Sequence, residues 1–228
     1  MVHVLSVGGS IVAPKEPDQA FLCQFTHRIR AWLSEELSRK LIMVIGGGGP
    51  ARMYQNAYKQ IAENTFSAEE ADWIGITATR LNAQLLKALF SDMCPNPVVY
   101  DPTTVEIFSG QVLIAAGWKP GFSTDTDAVL LAERFFAEKV INLSNIEKVY
   151  TDDPRKNPDA SPIDSLSWDQ FITMIGTEWV PGKNVPFDPV ASLRAKKAGI
   201  QVICAGATDL DNIENILNGK PFYGTTIG

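Results

Sequence analysis

The sequence predicts an α/β protein, a three-layer αβα sandwich around a mainly parallel central sheet. Three observations carry that prediction. Short, wholly apolar runs of strand length alternate with longer segments whose apolar residues recur at helical spacing. Strands alternating with helices in this way argue for a mainly parallel sheet covered by helices. Several of them also stop abruptly in glycine-rich loops, where a strand would hand over to a helix.

Taken in order, Val2 to Val7 is a β-prone run that stops at Gly8-Gly9-Ser10. After a loop with Pro14 and Pro17, Phe21, Phe25, Ile29, Trp32, Leu33 and Leu37 predict a helix over 19–39. Trp32 on that helix has two readings, core or subunit contact. Leu41 to Ile45 is a second apolar run, ended by Gly46-Gly47-Gly48-Gly49. Pro50 stands where the next helix would begin, because its missing N–H costs nothing there. Beyond a polar stretch at 64–72, Ile74, Ala78, Leu81, Leu85 and Leu89 mark a long helix. Pro97 to Tyr100 and Gln111 to Ala116 read as strands, the second entering the loop Gly117 to Thr124. Val129, Leu130, Ala132 and Phe136 predict a helix over 125–138, and Val140 to Leu143 a strand. A polar loop with Pro154, Pro158 and Pro162 follows, and Ser167 and Gln170 have capping-box spacing before a short helix. A helical stretch at 189–198, a strand from Gln201 to Ala205 and a helix opening near Asp209 complete the pattern. The chain reads as a single domain, 1–228, with a soft boundary near residue 105 between two lobes, 1–105 and 106–228, that share one sheet.

Composition narrows the function classes. The 228 residues carry 20 Lys plus Arg and 26 Asp plus Glu, so 20 − 26 gives −6. An acidic chain without a basic run has no electrostatic footprint for nucleic acid or anionic lipid. Apolar runs such as Leu41 to Ile45 are far too short to span a membrane, and the N-terminal strand lacks a basic n-region. A cytoplasmic location is therefore expected. Cys23, Cys94 and Cys204 are odd in number and far apart, so neither a disulfide framework nor a zinc knuckle is expected. With only His3 and His27, a multi-histidine metal site and a Ser-His-Asp triad are both disfavoured, and no metal-ligating residues are assigned.

The chemistry-bearing pattern is the pair of glycine loops. Successive glycine N–H groups form nests for phosphate oxygens, and a following helix N-terminus adds favourable dipole. One such loop is usually a tight turn; two at the carboxyl edge of an open sheet favour an anion site. No glycine is followed by Lys and then Ser or Thr, which excludes a Walker A loop. Gly46, Gly48 and Ala51 fit the permissive dinucleotide pattern, but the acidic residue that should end the next strand is missing. On a helix, Asp72, Gly75, Ile76, Thr79 and Ala83 share one face: a carboxylate able to accept ribose hydroxyls, then small residues that leave room for a ligand. Asp72 also has the plain role of a helix N-terminal charge. Arg52 could fork onto a phosphate or stand solvated at the surface. In Gly121-Phe122-Ser123-Thr124-Asp125-Thr126-Asp127, a hydroxyl can cap a helix, while two aspartates could order Mg²⁺ or contact the acceptor end of a nucleotide.

Taken together, Val4 to Ser10, Val44 to Gly48 with Arg52, Asp72 to Ala83, Ser123-Thr124-Asp125, Val149 to Pro154 and Gly224 to Ile227 resemble the amino acid kinase superfamily, and within it the archaeal type of uridylate (UMP) kinases. The resemblance runs along nearly the whole chain in order. It implies an acceptor-binding N-terminal half and an ATP-binding C-terminal half, Mg²⁺ dependence, nucleotide substrates and a homo-oligomer, commonly a hexamer. By the same resemblance Gly8, Gly9, Ser10 and Asp125 would be catalytic. Gly47, Gly48 and Arg52 would hold the UMP phosphate, with Asp72 on the ribose and Thr124 on the acceptor side. Ser144, Tyr150 and Asp153 would line the ATP site. The chain departs from the pattern in four places. Ser6 stands where many relatives carry lysine, Glu147-Lys148 replaces Asp-Gly, and Ala116-Gly117-Trp118 replaces Gly-Gly-Thr, bringing an indole toward the expected uracil pocket. The segment Val180 to Pro189 is also unusual. Lys15, Lys119 and Lys183 are candidate replacement cations, each with the commoner alternative of a plain surface lysine. Two rival readings remain: a non-catalytic nucleotide-binding or storage protein, like the molybdenum storage proteins, and a same-fold kinase with another small acceptor.

Overall fold

A computed structural model describes residues 2–154, 156–178 and 185–228. The elements run β1 (Val2–Val7), α1 (Gly9–Val12), α2 (Gln19–Glu35), β2 (Lys40–Ile45), α3 (Gly48–Ala62), α4 (Ala68–Leu89), β3 (Val112–Ala115), α5 (Thr124–Arg134), β4 (Lys139–Ser144) and β5 (Val149–Tyr150). They continue with β6 (Pro162–Ile163), β7 (Ser165–Leu166), α6 (Trp168–Ile175), α7 (Pro189–Ala198), β8 (Gln201–Gly206), α8 (Leu210–Leu217) and β9 (Thr225–Ile227). Seven strands form one sheet in the order β3-β2-β1-β4-β8-β9-β7, and β5 pairs with β6 separately. All pairs from β3 to β8 are parallel; β9 runs antiparallel to β8.

Strand periodicity builds the three layers. Leu5, Val7, Leu41, Met43, Ile45, Ile141 and Leu143 face α2, α4 and α8 in one core. Val4, Ile42, Val44, Leu113, Ala115 and Val140 face α5, α6 and α7 in the other. Both faces of β1, β2 and β4 are buried, so most of their residues are apolar; His3 and Ser6 of β1 and Asn142 of β4 are buried polar exceptions. Trp32 belongs to the core: it is 2% exposed, and its indole N–H donates to Asn218 Oδ1 at 2.9 Å.

Differences from the sequence reading have local causes. The helix predicted over 19–39 ends at Glu35, and the one predicted over 125–138 ends at Arg134, with Phe136 at φ 54. The long helix begins at Ala68, inside the stretch read as polar, because Ser67 caps it by accepting the N–H of Glu70. Pro97 to Tyr100 makes only a single bridge, Val99 to Ala115, since prolines on either side withhold ladder donors. Short strands β5, β6, β7 and β9 arise by long-range pairing in segments with no strand periodicity. The capping box of Ser167 and Gln170 is present. Residues 180–184 of the unusual segment, Lys183 among them, lie outside the described residues.

The strand order changes direction at β1, with β2 and β3 on one side and β4 and β8 on the other. Such a switch leaves a crevice at the carboxyl ends of the strands, where open α/β sheets bind ligands. The loops after β1, β2, β3, β4 and β8 all emerge there.

Candidate active site

The two glycine loops are packed against each other backbone to backbone. A Cβ on Gly9 would lie 2.1 Å from Gly48 N and 2.6 Å from Gly46 C. The amide of Gly8 donates to Leu143 O at 2.8 Å, that of Gly46 to Val7 O at 3.0 Å and that of Gly49 to Ala13 O at 2.8 Å. Gly48 also sits at φ +65, a conformation that favours glycine. These glycines are thus demanded by the meeting of two loops. Asn82, buried on α4, holds the second loop by donating to Gly46 O at 2.8 Å and Gly47 O at 3.2 Å.

Beside this junction lies a cavity of about 340 Å³, lined by Gly47, Ala51, Gln55, Asp72, Gly75, Ile76, Thr79, Gly117, Gly121, Phe122, Ser123, Thr124, Asp188 and Val190. The face predicted from Asp72, Gly75, Ile76 and Thr79 forms one wall, while Ala83 is buried in the core. Asp72 accepts the N–H of Gly121 at 3.1 Å, which ties α4 to the loop before α5. No lysine or arginine lines the space, and two carboxylates do. Its lining therefore suits neutral hydroxyl-bearing and apolar parts of a ligand better than an anion. A larger groove of about 760 Å³ runs between α2 and α4, but its mostly apolar lining has none of this convergent chemistry.

Of the residues assigned from the resemblance to the acceptor, Gly47, Asp72 and Thr124 line the cavity. Gly48 is buried behind them, and Arg52 is exposed on α3 with no hydrogen-bond or ion-pair partner among the described residues. Gly8 and Ser10 are half-buried at the end of β1, and Gly9 is buried. Lys15 runs beside the second loop, its Cα 2.8 Å from where a Gly49 Cβ would be. Gln55 and Phe122 were not singled out as site residues. Gln55 lies one helical turn beyond Ala51, so same-face spacing from the glycine loop could have found it.

Asp125 lies where β1 meets the first turn of α5. Ser6 Oγ donates to its Oδ1 at 2.8 Å, and Asp188 N–H donates to its Oδ2 at 3.2 Å. Burial pushes this carboxyl up to about 6, the Ser6 hydroxyl pulling the other way and the Asp188 charge adding to the rise. Asp188 caps α7 by accepting Ala191 N–H at 2.8 Å. Asp127, read from sequence as a possible Mg²⁺ or acceptor contact, is wholly buried and turned away from the cavity.

The indole of Trp118 does not line the cavity. Lys119 Nζ lies 3.9 Å from one of its ring centroids and the Phe122 ring 4.7 Å away. The hydroxyl at that wall belongs to Thr79, which accepts Gly117 N–H at 2.8 Å and donates to Ile76 O at 2.6 Å.

Across β4, Ser144 Oγ accepts Ile146 N–H at 3.1 Å, and desolvation, with the neighbouring Tyr223, holds the Tyr150 phenol above its ordinary value. The carbonyl of Asp153 accepts the N–H groups of Lys156 and Asn157, both at 2.9 Å. Glu147 packs against Gly206, whose Cβ would meet its Cγ at 3.2 Å. Lys148 is buried, pairs with Asp164 and lies 4.4 Å from the Tyr223 ring centroid, which accounts for a lysine at this turn.

The amino acid kinase family matches this chain over residues 1–206. The chain is 43% identical over 188 residues to a uridylate kinase of Pyrobaculum neutrophilum, covering 80% of this chain and 79% of that one. It is 32% identical over 228 residues to a uridylate kinase of Pyrococcus abyssi, covering 98% of each. The crystal structure of uridylate kinase from Archaeoglobus fulgidus superposes with a TM-score of 0.84 at 30% identity, covering 100% of both chains.

Proposed function

The chain belongs to the amino acid kinase family, and from that premise we propose that it transfers the γ-phosphoryl group of ATP to UMP, giving UDP and ADP. The observation that carries this reading is a cavity lined by Gly47, Asp72 and Thr124, placed beside the junction of two glycine loops. The storage reading is not favoured, because full-length relatives and the superposed structure are kinases by name.

Phosphoryl transfer needs little covalent participation from protein; alignment of the two oxygens and stabilisation of spreading negative charge dominate. In this reading Asp72 receives the ribose hydroxyls, Thr124 and Gly47 bound the acceptor, and Arg52 with Gly48 serves its phosphate. Gly8, Gly9 and Ser10 face the transferring group, and Asp125, held by Ser6, orients the catalytic edge. Ser144, Tyr150 and Asp153 serve the donor half, which begins near residue 106. Among the described residues no three His, Cys, Asp or Glu side chains converge as a metal cage. In this reading Mg²⁺ would enter on the ATP phosphates and neutralise their charge.

The same reading includes a homo-oligomer, the hexamer implied by the resemblance, working in the cytoplasm. Exposed Met53, Tyr54, Ile61 and Leu81 on α3 and α4 support self-association. Light scattering after size exclusion reports the mass directly. Among the described residues, no helix is long and apolar enough to cross a membrane. The decisive experiment is an ADP-coupled assay over UMP, CMP, dUMP and AMP. Turnover greatest with UMP is the expected result, and no turnover with any acceptor would sink the proposal.

A further inference from the structure

Two successive main-chain N–H groups in the loop after β3 are each held by a side chain from a different helix. Gly117 N–H goes to Thr79 Oγ1 of α4 at 2.8 Å, and Trp118 N–H goes to Asp127 Oδ2 of α5 at 3.1 Å. The carbonyl of Trp118 accepts from Arg80 Nη2 at 3.0 Å, and its indole packs against Phe122 at 4.7 Å between ring centroids. The Gly117–Trp118 peptide, which backs the cavity wall at Gly117, is thereby pinned from several sides.

Asp127 is the costly member of this set. It is 0% exposed, and its Oδ1 has no hydrogen-bond partner among the described residues. A half-satisfied buried carboxyl lowers stability. The helix does not require it: Ser123 caps α5, and Asp125 already supplies a charge to the first turn. Burial pushes the Asp127 carboxyl up to about 7; the Trp118 N–H opposes that rise, and Asp125 and Asp101 add to it. A group kept against stability points to a functional demand.

We infer that Asp127 is a positioning residue for the acceptor: it locks the Gly117–Trp118 peptide so that the wall facing Gly75 and Thr79 is rigid before the nucleotide arrives, setting acceptor affinity and the choice between bases. The inference rests on the acceptor reading of the cavity. Asp127 touches no substrate; it acts by removing the ordering cost of the loop from the binding step.

The test compares Asp127→Val, similar in size but without an acceptor, with Asp127→Asn, which keeps one. KM is measured for UMP, CMP and ATP, together with the melting temperature. Asp127→Val should raise the UMP KM by about fivefold to tenfold and narrow the UMP-to-CMP preference, with the ATP KM within about twofold and no fall in Tm. Asp127→Asn should restore the UMP KM to within about threefold of the parent. A lower Tm with unchanged acceptor KM would reduce Asp127 to a structural residue and overturn the inference, as would an ATP KM that rises in parallel. Should the valine variant not fold, Asp127→Ala is read in the same way. If the parent binds UMP by calorimetry but does not turn it over, the functional reading fails alone, and the same variants compared by UMP Kd decide the role of Asp127.

Discussion

Ser6, on β1, donates its hydroxyl to Asp125 Oδ1 at 2.8 Å and so joins that strand to the first turn of α5. The bond favours the ionised carboxyl against a burial cost that pushes it up to about 6. Ser6→Ala removes the favourable part, so the carboxyl should titrate higher still. The acid limb of the kcat–pH profile should then move up by about half to one pH unit. An unmoved limb would separate Asp125 from the chemistry.

The same carboxyl sets a pH dependence of stability. Its folded value of about 6 lies above its ordinary 3.8, so the fold prefers the protonated form. That contribution is fully present below pH 3.8 and is lost as pH rises through about 6. Asp125→Asn should therefore be more stable than the parent above that range, by on the order of 1–3 kcal/mol, with the gap closing in acid. Urea unfolding at acid and neutral pH measures the difference, and turnover should fall in the same variant.

Two helical glycines should respond very differently to alanine. In Gly9→Ala the new Cβ meets the backbone of Gly48 at 2.1 Å, and neither loop can yield. A loss of about 3 kcal/mol or more, or failure to fold, is expected in thermal melts. In Gly75→Ala the Cβ meets Gln55 Nε2 at 2.5 Å, the far end of a flexible side chain. Gln55 can swing aside, giving up its bond to Ala71 O at 2.9 Å, so stability should change by less than about 1.5 kcal/mol while the acceptor KM rises.

Arg52→Ala and Asp72→Ala should both raise the UMP KM by about tenfold or more while sparing the ATP KM, since charge-assisted hydrogen bonds are worth about 1.5–3 kcal/mol. Their stabilities should differ. Arg52 has no partner among the described residues and should leave Tm unchanged, whereas Asp72 also holds Gly121 N–H at 3.1 Å. Parallel rises in the ATP KM would argue against the acceptor assignment of both.

Much of the fold was legible because its determinants are local. Apolar runs announced strands covered by helices, and helical spacing announced the helices between them. Glycine clusters marked the carboxyl edge, and the spacing of Asp72, Gly75, Ile76 and Thr79 described a cavity wall before any coordinates. Helix ends and the short strands β5, β6, β7 and β9 were not legible, since caps and long-range pairing decide them.

What the sequence determined by itself is the set of elements and the face each one presents, because periodicity and backbone freedom act between near neighbours. Tertiary structure alone decided which of those faces meet. Ser6 reaches Asp125 across 119 residues, Gly9 backs onto Gly48, Arg80 reaches the Trp118 carbonyl, and Asp127 grips the peptide beside Gly117. Each contact follows from the order of strands in the sheet, and that order is set by burying both faces of the sheet at once, a condition no local stretch of chain contains.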